Sequence, residues 1–296
     1  MSHARMLAVL SVVNLACMGH VMAGEWPQWR GPFMNGSSEE TNLPATWTAT
    51  ENVAWSVTLP GPGSATPVIA ENRVYISSMD RRSDDLWGLC FDVQTGAQVW
   101  RKKLGASDRK VPRNNLASPS PVTDGRHVYF LYGSGHVAGL TREGELMWSW
   151  NLEETHGNIS MKYGYSSSPL LHDNILYVLV QRRHTAYRVP HGAGLESFIL
   201  AIDGTSGETL WKHTRVTHAQ EESLDAYSSP VLYDHQGRLE MLVMGASTVT
   251  SHDLKTGSEL WRYQVPVKRR GKDRTVPSPV SHEGLVFVVP SRGAQG

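Results

Sequence analysis

The chain has 296 residues, 40% of them hydrophobic and 19% charged, with a formal net charge of zero at neutral pH. That length suits one large domain or two ordinary ones, and the charge balance removes any global electrostatic argument for nucleic acid or an acidic membrane surface. Ten tryptophans are many for such a chain and call for a structural explanation.

Residues 1–23 read as a secretory signal peptide. A short start with one Arg precedes the apolar run MLAVLSVVNLACM (6–18), and VMA (21–23) has the small-x-small look of a cleavage site. The apolar run is too short to span a bilayer core of ~30 Å, so no transmembrane segment is expected in the mature chain. A lipoprotein would use Cys17, but NLAC carries Asn14 where a Leu is expected. After cleavage near Ala23 only Cys90 remains, which rules out an internal disulfide. The expected location is periplasmic or extracellular.

Residues 24–63 form an N-terminal segment. It opens with WPQWRGP (26–32) and continues through NLPATW to NVAWSVTLPG, where Trp55 looks like the closing strand of a repeat that arrives without its own.

From residue 64 onward the chain repeats itself, which bears on the fold more than any other feature. DVQTGAQVW (92–100), DGTSGETLW (203–211) and DLKTGSELW (253–261) share D-x-x-[ST]-G-x-x-x-W, and LTREGELMW (140–148) keeps the Gly and the Trp. Upstream of these lies a second element: SATPV at Ser64, SPSPV at Ser118, SSSPL at Ser166, YSSPV at Tyr227 and VPSPV at Val276, roughly fifty residues apart. A tight turn and a β-branched run such as ENRVYISS or DGRHVYFLYG follow each, which are hairpin signals. One unit therefore reads as strand A from the Ser-Pro, strand B, strand C ending at the Asp, and strand D carrying the Trp. Four antiparallel strands per unit is a β-propeller blade. The blades are expected at about 64–103, 118–151, 166–214 and 227–264, with a partial one at 276–296.

The motif residues suit that corner. Asp92, Asp203 and Asp253 stand where a strand must reverse and can accept backbone N–H groups two residues on. Gly96, Gly144, Gly207 and Gly257 supply a positive φ. Trp100, Trp148, Trp211 and Trp261 can lie between adjacent blades, burying ~150–250 Å² each. A carboxylate recurring at one address in every repeat is structural, so no catalytic residue is assigned. The Ser-Pro serines, near a central channel, read as turn and edge chemistry, since none has the G-x-S-x-G setting of a nucleophile.

This pattern resembles the pyrroloquinoline quinone (PQQ) repeat. That repeat builds the eight-bladed quinoprotein alcohol dehydrogenases and the propeller lipoprotein of the outer-membrane β-barrel assembly machinery. The opening WPQWRGP is similar to the start of secreted bacterial propellers of the same kind. The resemblance implies an all-β propeller with about four and a half blades here, a piece of a seven- or eight-bladed ring; an unusual five-bladed ring is the alternative. Two expected features of the dehydrogenases are missing: a vicinal Cys-Cys pair, and a matching Glu, Asn and Asp set for Ca²⁺. No cofactor is expected, PQQ being the one the resemblance allows.

Topology gathers the long loops on one face, the usual home of binding on a rigid scaffold. They are richer in Lys and Arg than in Asp and Glu. Candidates for a partner-binding face are His156, Lys162, Tyr163, Arg182, Arg183, His184, His191, His213, His218, Arg269 and Arg270. The histidine spacings match no standard metal-ligand pattern, so no metal site is expected. The favoured reading is a binding or scaffold module for a protein or glycan of the cell envelope. The alternatives are a PQQ-dependent dehydrogenase and a hydrolase or lyase at the channel mouth.

Overall fold

A computed structural model of the chain describes residues 24–159, 161–183, 196–266 and 274–289. The expected signal peptide lies outside these residues, as do His184, His191, Arg269 and Arg270.

Four successive four-stranded antiparallel sheets account for most of the fold. The first contains β1 (Val68–Ala70), β2 (Arg73–Met79), β3 (Asp85–Asp92) and β4 (Gln98–Ala106). The second contains β5 (Val122–Thr123), β6 (His127–Leu131), β7 (His136–Thr141) and β8 (Leu146–Asn151). The third contains β9 (Leu170–His172), β10 (Ile175–Val180), β11 (Phe198–Asp203) and β12 (Thr209–Thr214). The fourth contains β13 (Val231–His235), β14 (Arg238–Gly245), β15 (Thr248–Asp253) and β16 (Glu259–Gln264). A hairpin of β17 (Val280–His282) and β18 (Leu285–Phe287) follows. Strands pair in chain order, each with its sequence neighbour, as a propeller blade requires. Among the described residues helix is confined to α1 (Leu152–His156) and a 3-10 turn at Glu221–Leu224. The all-β expectation stands.

Packing follows from strand position. The second and third strands of each blade are largely buried on both faces. Ile199, Leu200, Ala201 and Ile202 of β11 are fully buried. The fourth strands are the outermost of each sheet, and Val99, Leu146, Leu210 and Leu260 on them remain exposed.

The corners carry the seams between blades. Asp92 Oδ1 accepts from the backbone N–H of Gln94 (3.1 Å) and of Thr95 (2.9 Å). Asp253 makes the same bonds to Lys255 (3.0 Å) and Thr256 (2.8 Å), and Asp203 to Thr205 (2.9 Å) and Ser206 (2.8 Å). The Gly N–H then returns to the Asp carbonyl, at 2.9 Å for Gly96. Each Gly lies under the indole of the preceding blade: Trp100 over Gly144, Trp148 over Gly207 and Trp211 over Gly257. The three indole N–H groups donate two or three residues further back in the turn, to Arg142 O (2.9 Å), Gly204 O (2.7 Å) and Leu254 O (3.3 Å).

Two details differ from the sequence reading. In the second blade Thr141, not Leu140, occupies the Asp position. Its N–H bonds Glu145 O as Asp92 N–H bonds Ala97 O, and Gly144 N–H returns to Thr141 O, so this turn is one residue shorter. Secondly, Trp55 belongs to no strand. Its indole nonetheless lies over Gly96 and donates to Val93 O at 2.8 Å, so it makes the first wedge without the strand expected around it.

At the inner ends the Ser-Pro segments form a ladder. Thr66 N–H donates to Ser120 Oγ (2.9 Å), Ser120 N–H to Ser168 Oγ (2.9 Å), Ser168 N–H to Ser229 Oγ (2.8 Å) and Ser229 N–H to Ser278 Oγ (2.8 Å). Each hydroxyl satisfies a backbone donor of the blade before it, a group that would otherwise be buried without a partner. The serines are therefore blade-to-blade ties, which corrects their reading as turn chemistry. The opening WPQWRGP segment straps across these inner strands. Trp26 bridges Ile69, Pro27 O accepts from Thr123 N–H (2.9 Å), Arg30 Nη1 donates to Pro279 O (3.2 Å), and Met34 meets Leu232.

Candidate functional site

A cavity of about 500 Å³ opens where the ladder meets the long loops. Ser118, Ser120, Ser166, Ser168 and Ser229 line its wall, and Trp29 enters from the strap. The loops before each strand A add Arg113, Asn114, Tyr163, Tyr227, Arg274 and Val276. A few polar groups converge on an aromatic wall in a concave hub, as ligand sites require.

Charge gathers at the mouth. Asp225 is fully buried, and the Arg183 guanidinium holds both its carboxylate oxygens at 3.1 Å while Lys162 N–H donates at 3.2 Å. Burial raises the Asp225 pKa even so. Glu222, on the 3-10 turn, bonds the Lys162 ammonium and lies 3.6 Å from Arg274 Nη1 and 3.9 Å from Arg183 Nη2. The Lys162 bond and the surrounding cations hold its carboxyl below the ordinary value. Arg274 lies 4.7 Å over the Tyr163 ring, and its hydrogen bond lowers the Tyr163 phenol pKa. Tyr163 N–H reaches Tyr227 Oη at 3.4 Å, and Asn114 Nδ2 donates to Tyr163 O at 2.8 Å, which fixes the loop. Arg113 is exposed and held at φ 60°, in the left-handed region that costs a non-glycine residue ~1–3 kcal/mol. Arg113 and Arg274 are the charged residues of the lining and make it positive, and the neighbouring Lys162 and Arg183 are paired with Glu222 and Asp225.

Of the residues named from sequence, Lys162, Tyr163 and Arg183 meet here. Others do not. Arg182 is buried, with its donors on the carbonyls of His156 (2.5 Å), Gly157 (2.6 Å), Asn158 (2.9 Å) and Glu196 (3.0 Å). It caps the end of α1, outside the cavity lining. His156 packs its ring against Phe198 at 4.9 Å, where burial lowers its pKa. It too lies outside the cavity lining. His218 is exposed on the loop before the 3-10 turn, and His213 lies at the seam between the third and fourth blades. Arg113, Glu222, Asp225, Tyr227 and Arg274 were missed. They come from three separate loops, and no spacing in the sequence joins them.

Comparison with known proteins agrees with the blades. The family model described as outer membrane protein assembly factor BamB, a PQQ-type model, matches residues 37–196 and 166–295. The chain belongs to this PQQ-repeat propeller family. It is 25% identical over 238 residues to the tetrathionate hydrolase of Acidithiobacillus ferrooxidans, covering 79% of this chain and 42% of that one. To the outer membrane protein assembly factor BamB of Kangiella koreensis it is 26% identical over 158 residues, 52% of this chain and 34% of the relative. The chain thus spans less than half the length of the curated relatives it matches. Among solved structures, a europium-containing methanol dehydrogenase superposes with a TM-score of 0.59 at 13% identity, covering 84% of this chain and 50% of that one. At that identity the likeness speaks for the propeller fold alone.

The donor set of the cavity was tested against a quinone with its divalent cation. Such a cation takes oxygen ligands, commonly carboxylates, and among the described lining residues there is no carboxylate and no cysteine. The lining suits an anion and offers no carboxylate to a divalent cation.

Proposed function

We propose that this chain is a non-catalytic binding module of the bacterial cell envelope, which holds an acidic, aromatic-bearing segment of a protein partner at the mouth of the hub cavity. The carrying observation is the convergence of Arg113 and Arg274 with Trp29, Tyr163 and Tyr227 on one concave surface, beside the ion pairs that Lys162 and Arg183 make with Glu222 and Asp225. Arginine and large aromatics are the side chains that dominate interface energetics, and the positive mouth would steer an acidic segment. The family match to an outer membrane assembly factor supports a protein partner and an envelope location. Among the described residues no helix is long and apolar enough to cross a membrane.

The test is photo-crosslinking in envelope preparations from a photoreactive residue at Val276, beside the cavity. A protein adduct that weakens in high salt and with Arg113→Glu is expected. The same adduct from a photoreactive residue at Lys255, on the opposite corner, would count against a specific site. A dehydrogenase is the competing function. Addition of PQQ and Ca²⁺ is expected to give no alcohol-dependent dye reduction, and saturable activity would replace our reading with that one.

A further inference from the structure

A second cluster lies away from the hub, at the seam between the third and fourth blades. Each wedge Trp faces the next blade, and the residue two further on shares its side of the strand. Trp150, two beyond Trp148, shows this by donating its indole N–H to Gly207 O of the next blade at 3.2 Å. At the third seam the equivalent residue is His213, two beyond Trp211. Its ring meets that of His252 edge-on, with centroids 4.8 Å apart. His252 is fully buried and precedes the corner Asp253; the residues preceding the other corners, Phe91, Leu140 and Ile202, are apolar. Glu259 is the direct cross-strand partner of His252. One ligand atom from each of His213, His252 and Glu259 lies within 4.8 Å of the other two.

We propose that His213, His252 and Glu259 form a divalent transition-metal site suited to Zn²⁺. Two imidazoles and a carboxylate are an established zinc donor set, with the fourth position left to water. The outer partners suit it as well. His252 Nδ1 donates to Gly257 O at 3.1 Å, the kind of bond that fixes a ligating tautomer. Nε2 is then the basic nitrogen. It accepts from the Thr250 hydroxyl at 2.8 Å, a bond that a metal ion on Nε2 replaces as the hydroxyl swings aside. Two guanidiniums oppose a cation. Arg262 is offset by its pair with Glu259 at 2.5 and 2.6 Å, and Arg215 is tied to Gln181, Gly245, Thr248 and Thr250.

The test uses the untagged chain, Zn²⁺ titration calorimetry and Co²⁺ visible absorption. One equivalent of Zn²⁺ is expected to bind, and Co²⁺ to give the intense spectrum of low coordination. Changing an outer partner already costs about 10–100-fold in affinity, so His213→Gln and Glu259→Gln should each cost more than about 100-fold. Arg262→Gln frees the carboxylate and should tighten binding. His213 is only half-buried, so its variant is expected to fold, which circular dichroism checks. Equal Zn²⁺ affinity in wild type and His213→Gln overturns the proposal, as does weaker binding in a folded Arg262→Gln.

Discussion

The corners of the blades and the long-loop face are built on opposite plans. At the corners one contact is made four times: an indole lies on the glycine of the next turn and its N–H reaches a carbonyl at 2.7–3.3 Å. Among the described residues of the long-loop face no two repeats agree. Loop 104–117 is tied to α1 by Arg109 on Glu153 at 2.8 and 2.5 Å, whereas the loop after β12 folds through a 3-10 turn whose acid faces Lys162. A contact that recurs at every seam belongs to the frame, and one that occurs once is free to serve a ligand. The same reasoning picks out His213 and His252, which depart from the frame at a single seam.

The sharpest break of this contrast is Trp148→Ala against Arg113→Ala. Trp148 is buried and bonded, and truncating such an aromatic costs about 3–5 kcal/mol. Arg113 is exposed, and its removal should stay within about 0.5 kcal/mol while weakening partner binding. Denaturant unfolding measures both; comparable losses would erase the division between frame and site.

A pair of glycines sharpens it further. Gly207 and Gly237 both have positive φ, 76° and 83°. A Cβ on Gly207 would sit 2.6 Å from Trp148 Cγ, whereas one on Gly237 meets nothing within 4 Å. Gly237→Ala should therefore cost only the left-handed strain of about 1–2 kcal/mol. Gly207→Ala should exceed it by about 1–3 kcal/mol, the cost of overpacking. At the hub, Ser168→Ala leaves the buried Ser120 N–H without its acceptor, which costs about 1–3 kcal/mol. A neutral result there would reduce the ladder to coincidence.

How much of this was legible follows from the same contrast. Asp, Gly and Trp at fixed offsets announced the corners because each has a distinct local job: an acceptor, a positive φ, a flat ring. The ladder was equally periodic, with Thr66, Ser120, Ser168, Ser229 and Ser278 at one address before each Pro. It was misread because a serine beside a proline is ordinary turn chemistry, and its partner is a backbone N–H of another repeat. Thr141 was hidden by a turn one residue shorter than its siblings. Arg182 and Arg183 are adjacent on extended chain, so their side chains diverge. One goes to the carbonyls around α1 and the other to Asp225, and the basic run alone gives no phase. The hub cavity and the His213 cluster depend on which blade faces which, information that no single repeat contains.

The smallest expected effect tests the corners by pH. Hydrogen bonds from Thr95 hold the Asp92 carboxyl below its ordinary 3.8, and those from Thr256 do the same for Asp253. A carboxyl whose pKa is depressed in the folded state adds stability above the unfolded value. That stability is lost as pH falls through the lower, folded value. Unfolding midpoints should thus drop below about pH 4 more steeply for wild type than for Asp92→Asn/Asp253→Asn, in which neither corner titrates. Glu222 on the loop face titrates in the same direction, since Lys162 holds it down. Adding Glu222→Gln to the double variant should flatten the acid limb further. If Glu222→Gln alone removed the whole slope, the corner carboxylates would be bystanders in acid unfolding and the loop-face network its controlling element.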